Sequence, residues 1–267
     1  MSVPASPQAF SALVMAASRG PDDPVARYAG ADRKCLVPAG GVPMLVRVVE
    51  ALEASGIAAR IFVSVDRPES FAEELPVRDL IANGRIVLLP SGASPSQSVL
   101  DAVEGIEEPY PLLVTTADSP LLTSAMLRHF GRESLSSEAD VTAGLAPASV
   151  ILRDFPDAQR TFLRFRDDRY SGCNLFAVVR PAGLSVVRFW RKAERHRKTP
   201  WRLVRTFGIS SLMRFALGRL SLDGAMRRVS AVAGAKAHAV RMPFATAAID
   251  VDKPEDLELV ERILAKA

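Results

Sequence analysis

Between residues 10 and 134 the sequence alternates short apolar runs with helix-patterned stretches, and this alternation limits the chain to one class of fold. The run Phe10 to Ala17 reads as a buried strand, and Pro43 to Ala54 reads as a helix with proline in its first turn and Gly56 just past its end. A long loop joins them. Ile61 to Val65 and Ile86 to Leu89 read as strands followed by helical stretches at Glu69 to Ala82 and Ser96 to Gly105, and Pro111 to Thr116 with Ser124 to Ser134 repeats the unit. Such an order implies a parallel sheet with helices on both faces, so the expected fold is a three-layer α/β/α sandwich with a mostly parallel, Rossmann-like sheet. Ligands in these sheets bind beyond the carboxyl ends of the strands, where residues 18–34, residues 91–98 and Asp118 would fall.

Beyond Asp140 to Leu145 the pattern loosens. An arginine- and aspartate-rich stretch, Arg160 to Arg169, leads to the apolar segment Asn174 to Val179, followed by a basic helical region, a strand at Ala237 to Met242 and a closing helix at Pro254 to Lys266. With 267 residues, 48% of them hydrophobic, the chain can bury a full core, and a single domain over 1–267 is expected. The net charge is only +4, but between Arg188 and Arg228 twelve basic residues stand against Glu194 and Asp223, so this segment carries +10 and the remainder −6. Its cations alternate with Trp190, Trp201, Phe207, Phe215 and several leucines, a mixture that suits an anionic membrane surface or a lipid-linked ligand, or equally a helical insertion with a solvated basic face. No nucleic-acid-binding motif is visible, and no nucleic acid partner is expected.

Cys35 and Cys173 fit neither a CxxC metal pattern nor a dense disulfide framework, which points to a reducing compartment. The N-terminus has no basic region followed by a long apolar stretch, and no run approaches the roughly 20 apolar residues that cross a bilayer. The expected location is the cytoplasm, with a peripheral position at the inner membrane surface left open by the basic segment.

Four segments carry candidate chemistry. The first is Ala16-Ala17-Ser18-Arg19-Gly20, with Arg27, Lys34, Leu36, Pro38 and Gly41-Val-Pro43-Met-Leu45 after it. Small residues straight after a strand let backbone amides approach phosphates, and Lys34 with Arg19 or Arg27 would offset their charge; the bland alternative is a surface loop with solvated cations. It is neither a GxxxxGK[ST] loop nor a GxGxxG fingerprint. The second is Ser91-Gly92-Ala-Ser94-Pro-Ser96-Gln-Ser98, a small polar turn entering a helix, whose amides and hydroxyls could hold a base or ribose, or whose Ser94 or Ser96 could simply cap the helix. The third, Thr115-Thr116-Ala117-Asp118-Ser119-Pro120-Leu121, places a carboxylate at a strand end where it can ligate magnesium. The fourth, Ala248-Ile-Asp250-Val-Asp252-Lys-Pro254-Glu-Asp256-Leu, offers a second carboxylate: in an extended segment Asp250 and Asp252 point to one face, and Asp252 could instead cap the last helix.

Together these segments resemble the MobA-like NTP transferases, nucleotidyltransferases of the GT-A-like fold. Ala16 to Gly20, Lys34, Leu36, Pro38, Gly41, Pro43 and Leu45 match the family's N-terminal pattern, roughly LAGGxGxRMGxxKxLxPxxGxPML; Ser98-Val99 resembles the SV of related cytidylyltransferases; Asp118-Ser-Pro120-Leu resembles DxPL; and Asp250 to Leu257 resembles DIDTPEDL. Gly172-Cys-Asn174-Leu-Phe176 is similar to a GxNLF strand on the acceptor side. The chain departs in having Ala17 and Ser18 where the family has glycines, in a longer loop before Lys34, and in the basic segment.

The resemblance implies a nucleotide-binding half at 10–147, an acceptor-side half at 148–247 with a basic helical insertion at 181–233, and a closing metal motif and helix at 248–267. It further implies transfer of NMP from an NTP, CTP favoured and GTP second, to a phosphorylated acceptor, with release of pyrophosphate. Ala16, Ala17, Ser18, Gly20, Lys34, Ser91, Gly92, Ser96 and Ser98 would bind the nucleotide. Lys34 with Arg19 or Arg27 would stabilise the transferring charge, Asp118 with Asp250 or Asp252 would hold magnesium, and Gly172 and Asn174 would meet the acceptor. The alternatives are a GT-A glycosyltransferase using a nucleotide-sugar, because Asp250-Val-Asp252 has the spacing of a DxD motif, and a nucleotide-binding regulatory module without turnover.

Overall fold

The computed structural model describes residues 9–17, 20, 22–156, 160–196 and 209–266. In chain order the first half comprises β1 (Phe10–Met15), α1 (Pro24–Ala29), the hairpin β2 (Pro38–Ala39) and β3 (Val42–Pro43), α2 (Met44–Ser55), β4 (Ala58–Val65), α3 (Pro68–Phe71), α4 (Leu75–Ala82), β5 (Val87–Pro90), α5 (Pro95–Gly105), β6 (Leu112–Thr116) and α6 (Ser124–Ser136). The second comprises β7 (Val141–Pro147), α7 (Ala148–Asp154), β8 (Leu163–Arg164), β9 (Arg169–Val178), α8 (Leu184–His196), α9 (Ile209–Ala216), α10 (Leu222–Ala233), β10 (Ala237–Arg241) and α11 (Pro254–Leu264).

The main sheet runs β10-β7-β9-β6-β1-β4-β5, with β8 paired to β9. Neighbours are parallel except that β9 opposes both β6 and β7 and β8 opposes β9. Side chains alternate between faces along each strand. Leu113, Ala177 and Val240 enter one apolar layer with Leu52 of α2 and Phe130 of α6. Leu13, Leu112 and Val178 enter another with Val99 of α5 and Leu184 of α8. The three-layer α/β/α sandwich with a mostly parallel sheet is therefore present, and α8, α9 and α10 form the basic helical insertion between β9 and β10. Among the described residues no helix is long and apolar enough to cross a membrane.

Two local expectations need correction. The loop before Lys34 contains α1: the Asp23 carboxylate accepts from Val25 and Ala26 backbone amides, Pro24 opens the helix, and Gly30 closes it at φ 64°. Those are ordinary start and stop signals around a helix too short to show periodicity. The single helix expected over 69–82 is two, because the chain turns after Phe71 and Pro76 belongs to the first turn of a second helix. Helix α7 follows β7 directly, with no intervening loop to announce it. Residues 197–208, part of the basic segment, lie outside the described residues.

Candidate active site

Strand β1 is followed by β4 and β5 on one side, and the chain then returns to place β6 on the other. The carboxyl ends of β1 and β6 therefore border the switch point of the sheet, where such folds bind ligands. A small cleft opens there, lined by Met15, Ala16, Ala17, Arg33, Lys34, Cys35, Ala117 and Asp118. A larger groove lies at the opposite edge, near Arg60 and Arg85, and there Arg85 is already paired with Glu53 at 2.6 Å.

Lys34 opens a single 3-10 turn, and its Nζ lies 2.6 Å from Asp118 Oδ2 and 2.9 Å from Asp252 Oδ1. Its side chain is only 12% exposed. Burial disfavours the ammonium, yet Asp118 and then Asp252 outweigh that cost and hold the Lys34 pKa above the ordinary lysine value. Asp118 lies just past β6 and caps no helix; α6 begins later, capped by the Thr123 hydroxyl. The Asp118 Oδ1 atom is buried with no hydrogen-bond partner among the described residues. The closing segment is fixed to this loop by a 2.9 Å bond from the Val251 amide to the Asp118 carbonyl.

Asp250 belongs to a neighbouring network. Its carboxylate pairs with the Arg160 guanidinium and accepts from Asn174 Nδ2 at 2.9 Å. Arg160 also reaches Asp256, 3.3 Å away, and the Ala248 carbonyl. Asn174 has φ 49°, in the left-handed region, at an irregular stretch of the β7–β9 pairing. Asparagine tolerates that conformation better than most residues, and irregularities of this kind commonly re-aim a side chain near a site. Gly172 is exposed, and a Cβ added there would meet nothing within 4 Å.

A profile of the MobA-like NTP transferase domain matches residues 12–239. The chain belongs to that family. It is a nucleotidyltransferase. Among solved structures it is similar to a hypothetical transferase from Thermus thermophilus, with 28% identity, coverage of 93% of this chain and 99% of that one, and a TM-score of 0.75. It shares the fold of the 4-diphosphocytidyl-2C-methyl-D-erythritol synthase from Anaerococcus prevotii, with 10% identity, coverage of 97% and 96%, and a TM-score of 0.60. No curated protein matches the sequence.

In this MobA-like transferase the remaining motif residues are distributed as follows. Ala16 and Ala17 border the cleft, whereas Ser18 and Arg19 lie outside the described residues. Arg27 is exposed on α1, whose next residue, Tyr28, bonds Glu258 of α11 at 3.2 Å. In the 91–98 turn, Ser94 caps α5 and the Ser98 hydroxyl accepts from the Gly92 amide at 2.9 Å. Ser96 and Ser98 are buried, while Ser91 and Gly92 are half-buried. Gly92 is packed so tightly that a Cβ would stand 2.6 Å from Asp101 Oδ2. Asp252 does not cap α11; the Asp256 carboxylate does, accepting from the Asp252 and Lys253 amides at 3.1 and 3.0 Å.

Sequence reasoning passed over two arginines. Arg160 was visible only as one of several cations in its stretch. Arg33 was visible only as the neighbour of Lys34, yet it is buried over the Phe71 ring at 4.9 Å and donates to the Asp66 carboxylate at 3.2 Å, tying the Lys34 loop to the end of β4.

Proposed function

We propose that the protein transfers NMP from an NTP, with CTP favoured over GTP, to a phosphorylated small molecule or lipid headgroup, using magnesium and releasing pyrophosphate. The observation that carries this reading is the convergence of the Asp118 and Asp252 carboxylates on the Lys34 ammonium at the switch point of the sheet. The donor set fits magnesium. Two carboxylates approach one point, a buried Asp118 oxygen is left without a partner, and hard cations of this size take one or two carboxylates together with substrate phosphates. Among the described residues no group of three or more His, Cys, Asp or Glu side chains could hold a metal, consistent with a site that shares its ion with the nucleotide. Asp118 and Asp252 would hold the ion, which, when bound, neutralises phosphate charge.

In the reaction an acceptor phosphate oxygen attacks the α-phosphorus in line, the bond to the bridging oxygen breaks, and pyrophosphate leaves with the electron pair. A phosphate dianion needs no general base, so the chain's own work is positioning and charge stabilisation. With its raised pKa, Lys34 stays cationic through the neutral range and stabilises charge on the α-phosphate and the leaving group. Arg19, close behind β1 in sequence, is favoured over Arg27 as the second cation, because Arg27 rides on a helix bonded to α11. With the Ser91 amide bonded to the Val65 carbonyl and the Gly92 amide to the Ser98 hydroxyl, the carbonyls of this turn are what a base would meet, and Asn174 with Gly172 borders the acceptor side.

The test is a pyrophosphate-release screen of the four NTPs against phosphorylated sugars, polyols and cofactors, with and without magnesium. CTP-dependent, magnesium-dependent release is expected. Nucleotide binding without turnover, or release unaffected by chelation of magnesium, would sink the proposal.

A further inference from the structure

We propose that the β8–β9 hairpin and the α9–α10 turn form one docking surface for an anionic lipid bilayer. The two segments are far apart in sequence but fastened together. Phe215 of α9 packs edge-on against Phe165, with ring centroids 5.5 Å apart, and Phe165 meets Tyr170 in the same way at 5.9 Å. The Arg166 amide donates to the Leu220 carbonyl at 2.9 Å, and the Leu222 amide donates to Asp167 Oδ1 at 3.0 Å. A Cβ added at Gly218 would lie 3.4 Å from Arg164 Nε.

This anchored surface exposes Arg164, Arg166, Arg169, Arg214 and Arg219. Three acids share the surface with these five arginines and leave it net positive. Asp167 takes the Tyr170 hydroxyl at 2.9 Å, Asp168 takes the Ser149 hydroxyl at 2.6 Å, and Asp223 pairs with Arg241 at 3.0 Å. Among the described residues Arg164, Arg166, Arg214 and Arg219 make no ion pair. The same two segments expose Leu163, Met213 and Leu217, to 47%, 55% and 60%. An isolated exposed leucine needs no explanation, but three large aliphatic side chains and four arginines without ion pairs, on two segments fastened together, match what enters the headgroup region of an anionic membrane. Single-stranded nucleic acid would satisfy the arginines but is gripped through aromatic stacking, and the exposed apolar groups here are aliphatic.

The hairpin also leads into the site. Leu163 pairs with Tyr170, and β9 runs on through Gly172 to Asn174, so a bilayer at this surface would present phosphorylated headgroups to the acceptor side. That last step rests on the nucleotidyl transfer proposed above; the docking does not.

The experiment is vesicle flotation of the full chain, without nucleotide, on phosphatidylcholine alone and on phosphatidylcholine mixed with phosphatidylglycerol. Binding is expected on the mixed vesicles only and should weaken with added salt. Each arginine reversed in the pair Arg214→Glu and Arg219→Glu should weaken it at least about fivefold. The pair Met213→Ser and Leu217→Ser should weaken it while leaving the salt dependence in place. A circular dichroism melt and pyrophosphate release with a soluble acceptor should match wild type in all variants. No flotation, equal flotation on neutral vesicles, or indifference to both variant pairs would overturn the proposal. So would retention of a labelled single-stranded RNA without vesicle binding, which would give the surface to nucleic acid. Because flotation needs no turnover, its failure leaves the nucleotidyl-transfer reading untouched, and an inactive enzyme that still floats would do the reverse.

Discussion

Asp250 and Asp252 are separated by one residue, yet they serve two different centres: Asp252 meets Lys34 and faces Asp118, while Asp250 is held by Arg160 and Asn174. The first centre is assembled from turns that follow parallel strands, and its groups are partly left over, as the unpartnered Asp118 oxygen shows. The second is closed on itself, with a guanidinium shared between Asp250 and Asp256. A group meant to receive a ligand keeps capacity in reserve, whereas a group that holds other groups in place spends it. On the proposed reaction, this difference would give the chemistry to the Lys34 centre and leave the Arg160 network to shape the wall beside it.

The comparison can be broken most decisively at its first member. Lys34→Ala and Asp118→Ala should each lower NTP-dependent pyrophosphate release by about 10²–10³-fold, the loss typical of one preorganised charge, with the circular dichroism spectrum unchanged. Full activity in Asp118→Ala would remove this centre from the reaction. Next, Asp252→Asn should cost about 10–100-fold and raise the magnesium needed for half-maximal rate, while Asp250→Asn should act on acceptor KM and leave the magnesium titration in place. The reverse pattern would exchange their roles. Arg160→Ala should destabilise the fold by about 2 kcal/mol in urea denaturation, below the usual cost of breaking a buried pair because the partners keep some exposure. Little change there would mean that the network holds nothing. Ser94→Ala should cost about 1 kcal/mol as a lost helix cap, with the preference among NTPs retained if the turn acts through its backbone. Alkaline pH gives the smallest effect. A lysine whose pKa is raised by folding contributes stability that is present at neutral pH and is lost only as pH climbs through its folded value, above the usual ~10.4, so wild type and Lys34→Met should differ least at the alkaline end of a pH series of melts.

Much of the fold was legible because parallel strands buried on both faces read as continuous apolar runs, as β1, β6 and the Ile61–Val65 part of β4 do, while the half-exposed edge strand β5 kept an apolar run at Val87–Leu89. Strand β9 was visible only as an apolar segment, since its opposed direction leaves no mark on hydrophobicity. The sequence brought forward Lys34, Asp118 and the Asp250–Asp252 pair, but it could not divide the pair. Alternation presumes an extended strand, and here the segment after Ala248 is irregular, so the partners decide where each carboxylate turns. One of those partners, Arg160, is 90 residues away, and no local pattern carries a contact at that distance. The same applies to Arg33, whose burial depends on Phe71 of α3 and on Asp66 just past β4.

The reversed direction of β9 has one more consequence. Because it opposes its neighbours, its beginning rather than its end lies beside the carboxyl ends of the parallel strands, and the hairpin that introduces it arrives there, with Tyr170 paired to Leu163 and Pro147 and the β6 pairing further along. Insertions or exchanges in residues 160–168 can therefore alter what stands next to Asn174 without shifting the register of the parallel strands at whose ends Lys34 and Asp118 meet. If the acceptor binds beside Asn174 as proposed, a lineage could change it by rewriting one hairpin while inheriting its nucleotide chemistry intact, and an engineer could graft that hairpin between relatives for the same purpose.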